Sequence, residues 1–182
     1  MMKKPDITNW PRVTSIIAEG GFYDLSRADK DVLARASEFG KAVHLACLYD
    51  DRNTELAAPL DPALVPYLAG WRKFRADHNW ARKKPVLCEQ QVFSKLYGYK
   101  GTPDRVFKGG YLVDIKTGQP HKGWALQLAA YAQAIKETKR ITIRRRFSII
   151  LMPDDYKLIP YQSGLDWHAF QACLTLARYK GG

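Results

Sequence analysis

The segment Tyr111-Leu-Val-Asp-Ile-Lys-Thr-Gly118 decides which fold this chain of 182 residues is expected to adopt. It is short, rich in apolar and β-branched residues and ends at a glycine, which predicts a buried β-strand over Tyr111–Thr117. Because side chains two residues apart share one face of a strand, Asp114 and Lys116 should point to the same side of the sheet. A carboxylate and an ammonium group placed in this way form either a structural ion pair or part of a catalytic site.

Two further acids are expected close to this strand. Asp104 belongs to a predicted strand over Gly101–Phe107, and Glu89 belongs to a predicted strand over Val86–Ser94. Gly109-Gly110 predicts a tight hairpin before the central strand, so the three strands form a meander that brings the acids together. The placement of Glu89 depends on register, because a slip of one residue turns its side chain to the opposite face.

Three acids and a lysine in one place suit the metal-assisted hydrolysis of a phosphodiester bond. Glu89, Asp104 and Asp114 offer hard oxygen ligands that favour one or two Mg²⁺ or Mn²⁺ ions rather than zinc. Such ions polarise a phosphate and lower the pKa of a bound water. Lys116 is expected to orient this water, to help deprotonate it, or to neutralise charge on the phosphorus.

The central motifs resemble those of the PD-(D/E)xK nuclease superfamily. The residues that carry the resemblance are Pro103-Asp104 and Asp114-Ile-Lys116. More narrowly, the sequence resembles the RecB-type exonuclease branch, which includes exonucleases of phages and of DNA repair. In that branch a strand with the pattern acid-x-Lys-Thr-Gly precedes a helix with the pattern Gln-x-x-x-Tyr, here Gln127 and Tyr131.

Two upstream elements of the same branch are also present. Gly40-Lys-Ala-Val-His44 matches its Gly-x-x-x-His pattern, and Glu89 matches an acid that precedes its Gly-x-x-Asp pattern. The elements follow the order of the family from Gly40 to Tyr131 and span about half of the chain. Each element is short, but the ordered combination is fairly specific.

The resemblance implies a role for each matched residue. The implied metal ligands are His44, Glu89, Asp104 and Asp114. The implied catalytic residues are Lys116, Asp104, Asp114 and Glu89, together with Gln127 and Tyr131, which contact the substrate or order the site. An imidazole among the ligands favours Mn²⁺ over Mg²⁺.

The remaining elements surround the strands with helices. Helices are predicted over Val13–Glu19, Asp31–Leu48, Pro62 to about Trp80, Trp124–Thr138 and Leu165–Tyr179, and further strands over Arg144–Met152 and Tyr156–Tyr161. Ser26–Lys30 predicts a turn and a helix start, and residues 50–61 predict a polar loop. This order predicts an α/β sandwich in which helices flank a mixed five-stranded sheet. It agrees with the restriction-endonuclease-like α/β/α core that the resemblance implies.

Length and charge suggest one domain with an acidic partner. The length fits a single domain over residues 1–182, with a helical part over residues 1–84 and a catalytic sheet-and-helix part over residues 85–182. Lysine and arginine number 29 against 18 acids, and the net charge of +11 favours a polyanion such as DNA. The predicted DNA-binding residues are Arg82, Lys83, Lys84, Lys122, Arg144, Arg145 and Arg146. The alternative for these residues is that they form solvated charged faces.

Cysteine usage and hydropathy limit the cofactors and the compartment. The three cysteines are widely separated and form no C-x-x-C pair, so a zinc ribbon is not expected. An iron–sulfur cluster needs four cysteines and is not expected either. No apolar run approaches ~18 residues, and the N-terminus lacks the apolar region of a signal peptide. The expected compartment is the cytoplasm, that of the bacterial host if the protein is phage-encoded, without a membrane partner.

The sequence therefore predicts a Mg²⁺- or Mn²⁺-dependent deoxyribonuclease, more specifically an exonuclease in phage replication or in DNA repair and recombination. The preference for an exonuclease rests on the resemblance alone. One alternative is a structure-selective endonuclease such as a junction resolvase, and another is a nucleic-acid-binding module without activity. A recombination or replication protein is a candidate partner, and the sequence leaves the oligomeric state open.

Overall fold

The protein is described by a computed structural model over residues 5–23, 29–54 and 59–181. Within these ranges the helices are α1 (Val13–Glu19), α2 (Lys30–Arg52), α3 (Val65–Asp77), α4 (Gly123–Lys139) and α5 (Leu165–Gly181), with a 3₁₀ turn at Pro62–Leu64. The strands are β1 (Leu87–Cys88), β2 (Val92–Ser94), β3 (Tyr99–Gly101), β4 (Arg105–Phe107), β5 (Tyr111–Lys116), β6 (Arg145–Met152) and β7 (Asp155–Tyr161). Most of the turn predicted over Ser26–Lys30, and part of the loop predicted over residues 50–61, lie outside the described residues.

One mixed sheet forms the centre of the protein. Its strand order is β1-β4-β5-β6-β7, and all neighbouring strands are antiparallel except β5 and β6, which run parallel. A parallel pair needs a long crossover connection, and α4 provides it between these two strands. The predicted mixed five-stranded sheet and the α/β class are therefore confirmed.

Two of the predicted strands are wrong as continuous elements. The run Val86–Ser94 divides into β1, which joins the main sheet, and β2, which pairs with β3 in a separate two-stranded ribbon. The chain turns between them at Glu89, which has a φ of 46°. The run Gly101–Phe107 likewise divides into β3 and β4 around Pro103, which has no N–H to give to a strand ladder. Both breaks lie next to predicted site residues.

Helices cover both faces of the sheet. On one face, Leu112 of β5 packs into a core that α1, α4 and α5 complete. On the other face, Val113 and Ile115 pack with α2 and α3 around Trp71 and Phe74. The alternation along β5 therefore buries both of its faces, and the layered α/β/α arrangement follows.

Helix α2 is half buried and half exposed along its length. It begins at Asp29, whose carboxylate accepts the main-chain N–H groups of Asp31 and Val32 at 2.8 and 3.2 Å, and it ends one turn later than predicted. Its second half contributes Val43 and Cys47 to the core, whereas the side chains of its first half are mostly exposed. Among the described residues, no helix combines the length and the apolar character needed to cross a membrane.

Gly110 fixes the hairpin that aligns β5 with β6. Its φ is +83°, and its carbonyl oxygen accepts the N–H groups of Arg144 and Arg145 at 2.7 and 3.1 Å. A Cβ at this position would collide with the carbonyl oxygen of Thr142.

We expect Gly110→Ala to lower the free energy of unfolding by about 1–3 kcal/mol, because alanine adds both a steric collision and an unfavourable φ. Urea denaturation measures this as a shift of the midpoint at constant slope. Gly118→Ala is the matched control, since a Cβ there meets no atom within 4 Å in the described structure. Equal midpoints for the two variants would show that Gly110 does not constrain the hairpin.

Candidate active site

The main chain of Ile115 joins two of the predicted site residues. The ladder between β4 and β5 ends where Arg105 pairs with Val113, so Ile115 lies beyond it. The N–H of Ile115 donates to Asp104 Oδ2 at 2.7 Å, and its carbonyl oxygen lies 2.9 Å from His44 Nε2. His44 Nδ1 lies 3.5 Å from the same Asp104 oxygen. Three segments that are distant in sequence therefore meet at one peptide position.

Asp114 and Lys116 lie on the other face of β5, as the strand period predicts. Lys116 Nζ is 2.5 Å from Asp114 Oδ2, and Asp114 is only 2% exposed. Lys116 also donates to Gln127 Oε1 at 3.1 Å, and Gln127 Nε2 donates to the hydroxyl of Tyr131 at 3.0 Å. The ring of Trp124 lies 5.4 Å from Lys116 Nζ. Helix α4 thus holds the lysine through the two polar residues that the sequence motif predicts.

Two glycines of the sequence motifs allow close packing around the site. A Cβ at Gly101 would collide with the ring of Tyr131, so the absence of a side chain lets α4 approach β3. A Cβ at Gly40 would lie 3.3 Å from Thr117 Oγ1, which is a tight contact between α2 and the end of β5. The small residues at these positions therefore bring the polar groups of α2 and α4 to the same end of the central strand.

The Glu89 carboxylate pairs with Arg105 and does not join the carboxylates of Asp104 and Asp114. It follows β1 in a left-handed conformation, and its N–H donates to the carbonyl oxygen of Asp104 at 2.9 Å. Its Oε1 accepts a bond of 3.0 Å from Arg105 Nη1, which also donates to the carbonyl oxygen of Asp104 at 3.0 Å. Arg105 therefore fixes both the acid and the segment that carries Asp104.

Arg105 belongs to a buried ion-pair network beneath the site. Its guanidinium is fully buried and donates from Nε to Asp51 Oδ2 at 2.5 Å. Asp51 also accepts from Arg75 and, at 3.3 Å, from Trp71 Nε1. Burial would lower the pKa of Arg105, but the Asp51 carboxylate outweighs this effect and raises it, so the guanidinium stays charged. The network links α2, α3 and β4.

An open cleft of about 790 Å³ gives access to the site. One wall is the exposed part of α2, and the opposite wall is formed by the ends of β3 and β5 and by Glu89. The polar lining residues include Lys41, His44, Glu89, Asp104 and Lys116. Charged groups of both signs therefore face one cavity large enough for a nucleotide unit.

The two aspartates differ in their readiness to ionise. Burial would raise the pKa of Asp104, but the charges of His44 and Lys116 and the bond from the Ile115 N–H outweigh it, so its pKa lies below the usual value. Burial raises the pKa of Asp114, and the attraction of Lys116 offsets this only in part. Asp104 is therefore the more stable anion of the pair.

The basic groups of the site are stabilised in their charged forms. Burial would lower the pKa of Lys116, but Asp114 and Asp104 raise it above its usual value. Burial would also lower the pKa of His44, and Asp104 reverses this effect. Lys116 is therefore an ammonium group at neutral pH, a donor rather than a base.

The donor set fits a divalent cation in its chemistry. Asp104 and Asp114 supply carboxylate oxygens, the latter with a buried Oδ2 that is paired with Lys116 Nζ at 2.5 Å, and Ile115 supplies a carbonyl oxygen beside the imidazole of His44. Within the described residues, however, no three side chains of the His, Cys, Asp or Glu types are placed together so as to hold an ion. Glu89 is engaged by Arg105, and Lys116 occupies the space beside Asp114.

The predicted DNA-binding residues lie outside the described lining of this cleft. Arg82 folds back and donates to the carbonyl oxygen of Ala76 at 2.9 and 3.1 Å. Lys83, Lys84 and Lys122 are exposed. The three arginines at positions 144–146 lie at the start of β6, which pairs with the start of β5 rather than with the end that carries Lys116.

The structure places several residues at the site that the sequence analysis did not identify. Lys41 lines the cleft within the Gly-x-x-x-His motif, where the pattern leaves it unspecified. Tyr23 lies near Lys116 and Asp114, whose charges act on its hydroxyl, and its ring contacts His121 at 4.7 Å. Arg105 directly follows Asp104, and this adjacency is the one sequence signal that could have identified it.

Comparison with known proteins supports the fold. No protein-family model and no curated protein matches the sequence. The structure is similar to that of a protein named "Putative exonuclease" from Eubacterium rectale, with a TM-score of 0.56 and 13% identity over 79% of this chain and 68% of that chain. It also aligns with an alkaline exonuclease, LHK-Exo, from Laribacter hongkongensis, with a TM-score of 0.44 and 15% identity over 91% of this chain and 87% of that chain. The first similarity confirms the fold that the motif resemblance implies.

We expect Asp51→Ala to lower the free energy of unfolding by about 3–5 kcal/mol, because it leaves the buried charge of Arg105 without its main partner. The neighbouring Asp50→Ala is the control, since Asp50 pairs with the exposed Arg72 and such a pair contributes about 0–1 kcal/mol. Chemical denaturation of both variants measures the difference. Similar losses in the two variants would mean that the buried network does not stabilise the region under the site.

Proposed function

We propose that this protein is a divalent-metal-dependent deoxyribonuclease that acts as an exonuclease. The observation that carries the proposal is the meeting of Asp104, His44 and the Ile115 main chain beside the Asp114–Lys116 pair, where one cleft is lined by His44, Asp104, Ile115 and Lys116. The fold shared with the Eubacterium rectale protein, whose name is that of an exonuclease, supports the same function. The preference for DNA ends rests on the motif resemblance.

The substrate class follows from charge and from the cleft. A net charge of +11 attracts a polyanion, and Lys41 and Lys116 offer two ammonium groups to a phosphate inside the cleft. DNA is therefore the proposed substrate, in phage replication or in repair and recombination in the cytoplasm, where a recombination or replication protein is a candidate partner.

Asp104, Asp114, the neutral imidazole of His44 and the Ile115 carbonyl oxygen are the proposed metal-holding groups, and binding of the ion would displace the His44 proton and the contact between His44 and Ile115. A Mg²⁺ or Mn²⁺ ion bound there supplies electrophilic activation of the phosphate and a more acidic water. Asp104 is best suited to this role because its pKa is low, and its position is fixed by the Ile115 N–H. Glu89 is proposed to border the site, since Arg105 already holds its carboxylate.

Lys116 is proposed to donate to the phosphate or to the attacking water and to neutralise negative charge that develops on the phosphoryl oxygens. Its raised pKa favours this role over that of a general base. Gln127 accepts from Lys116 and Tyr131 accepts from Gln127, so the two residues position the ammonium group. The chain Lys116–Gln127–Tyr131 links the chemistry on β5 to α4.

We expect Mn²⁺ or Mg²⁺ to support degradation of end-labelled linear DNA, and Lys116→Ala to abolish it by removing the only ammonium group paired with Asp114 among the described residues. Lys95→Ala, an exposed change away from the cleft, is the control and should cleave as the wild type does. Covalently closed circular DNA is tested as a second substrate, and reactions with EDTA serve as the metal-free control.

The same assay separates the alternatives. Loss of linear DNA only, dependent on metal and absent in Lys116→Ala, supports an exonuclease at this site. Cutting of the circle, or of branched DNA alone, assigns an endonuclease instead. Full activity in Lys116→Ala would refute the site, and no cleavage of any DNA by the wild type would favour a binding module.

Metal binding can be measured without catalysis. At an Mn²⁺ concentration about 100 times the Kd, we expect the Tm to rise by about 5–10 °C, because a ligand that binds the folded state stabilises it by about 2.7 kcal/mol. Asp104→Asn should remove most of this rise. Asp154→Asn, an exposed change compatible with its φ of 58°, is the control. An undiminished rise in Asp104→Asn would place the ion elsewhere.

A further inference from the structure

A second cleft lies at the end of the sheet opposite to the active site. It has a volume of about 760 Å³ and lies between the β4–β5 hairpin, the start of β6 and the segment that follows β7. We call it the arginine cleft, because Arg144, Arg145 and Arg146 line it. Arg145 pairs with Tyr111 at the start of β5, whereas Lys116 lies five residues further along, or about 16 Å at about 3.3 Å per residue.

The three arginines differ in how their charges are compensated. Arg146 is only 14% exposed in its side chain and donates to Asp166 Oδ2 and to a main-chain carbonyl oxygen, both at 2.9 Å. Arg144 and Arg145 are exposed, and within the described part of the chain their guanidinium groups meet no carboxylate. Their main-chain N–H groups bond to Gly110, so a fixed backbone presents two uncompensated charges to the cleft.

Aromatic rings border the same cavity. Tyr111 and Phe147 line the cleft, and Trp80 stacks on both, with ring centroids 4.4 and 5.7 Å apart and planes inclined by 7° and 15°. Tyr161 also lines it. Arginines that neutralise phosphates beside rings that can stack on bases are the combination that single-stranded nucleic acids prefer. An acidic protein segment would use the charges but not the accessible parts of Tyr111 and Phe147, which are only partly buried against the core.

We infer that the arginine cleft is a second binding site for a single strand of nucleic acid, with Arg144 and Arg145 on its phosphates. The inference rests on the proposed nuclease function, since it assigns to this cleft the part of the substrate that lies away from the reacting phosphate. A separation of about 16 Å corresponds to about five nucleotides at the stacked rise of 3.4 Å each, and an extended single strand covers it with fewer. A strand that continues for about five nucleotides from the reacting phosphate is therefore long enough to occupy both sites.

Binding in EDTA tests the cleft independently of catalysis. We expect Arg144→Ala/Arg145→Ala to weaken the binding of a labelled single strand of about 30 nucleotides on the order of tenfold, and to reduce the slope of log affinity against log salt by about 1.4, for two phosphate contacts. Lys95→Ala/Lys180→Ala removes the same charge from exposed positions outside the cleft and is the matched control. Arg144→Lys/Arg145→Lys should retain the slope.

The binding result decides the inference in either direction. A loss confined to the arginine variant supports the cleft as a strand site. Equal losses in the arginine variant and its control would overturn it, because a general loss of charge would then explain both. Unchanged strand binding would also overturn it, and direct binding of a labelled polyglutamate peptide to the wild type but not to the arginine variant would then assign the cleft to an acidic protein segment.

Cleavage adds a dependence on substrate length. In the arginine variant, KM should rise for a strand of about 30 nucleotides at unchanged kcat, whereas a strand of about two nucleotides, too short to reach the cleft even when extended, should show no change. If the wild type cleaves neither these strands nor linear duplex DNA, the proposed nuclease function fails, and the binding result still decides the cleft. If KM is unchanged for both lengths in an active enzyme, the cleft inference fails and the nuclease function stands.

Discussion

The site depends on one structural constraint: the central strand β5 extends beyond the end of its neighbour β4. Strand β4 pairs with β5 only as far as Val113, so the peptide groups of Ile115 need other partners in a buried environment. The Asp104 carboxylate accepts the N–H at 2.7 Å, and the His44 ring meets the carbonyl oxygen at 2.9 Å. The residues that satisfy the backbone are thus the residues proposed to hold a metal ion. The contacts that order the end of β5 are therefore the same contacts that bring Asp104 and His44 together.

Burial on β5 opposes the ionisation of Asp114, which belongs to the pair proposed to carry the chemistry. Asp114 and Lys116 lie on a strand whose two faces are covered by helices, and burial raises the pKa of Asp114 despite its lysine partner. A carboxylate whose pKa is raised on folding makes the folded state less stable as the pH rises through its titration range. Gln127 and Tyr131 reduce the number of arrangements open to the lysine, and Gly101 makes room for the tyrosine ring. The geometry of the pair therefore depends on α4, the crossover helix that follows β5.

The sequence predicted those features that depend on the periodic spacing of side chains and on the order of the elements. The alternation along β5 predicted which face bears Asp114, and the order of elements predicted the mixed sheet, because both follow from local propensity and burial. The run Val86–Ser94 misled, since its composition is that of a strand while the left-handed φ of Glu89 is imposed by tertiary partners. The role of the Ile115 peptide could not be predicted, because main-chain groups have no sequence signature.

Arg105 determines what Glu89 can do. Its Nη1 is shared between Glu89 Oε1 and the carbonyl oxygen of Asp104, and its Nη2 is buried without a partner in the described structure. If Glu89 turned away toward an ion, a buried guanidinium would lose an acceptor, and such a loss is costly because the charge cannot be solvated. The left-handed backbone of Glu89 and its bond to Asp104 add to this restraint. Glu89 is therefore better suited to fix the wall that carries Asp104 than to act as a mobile ligand.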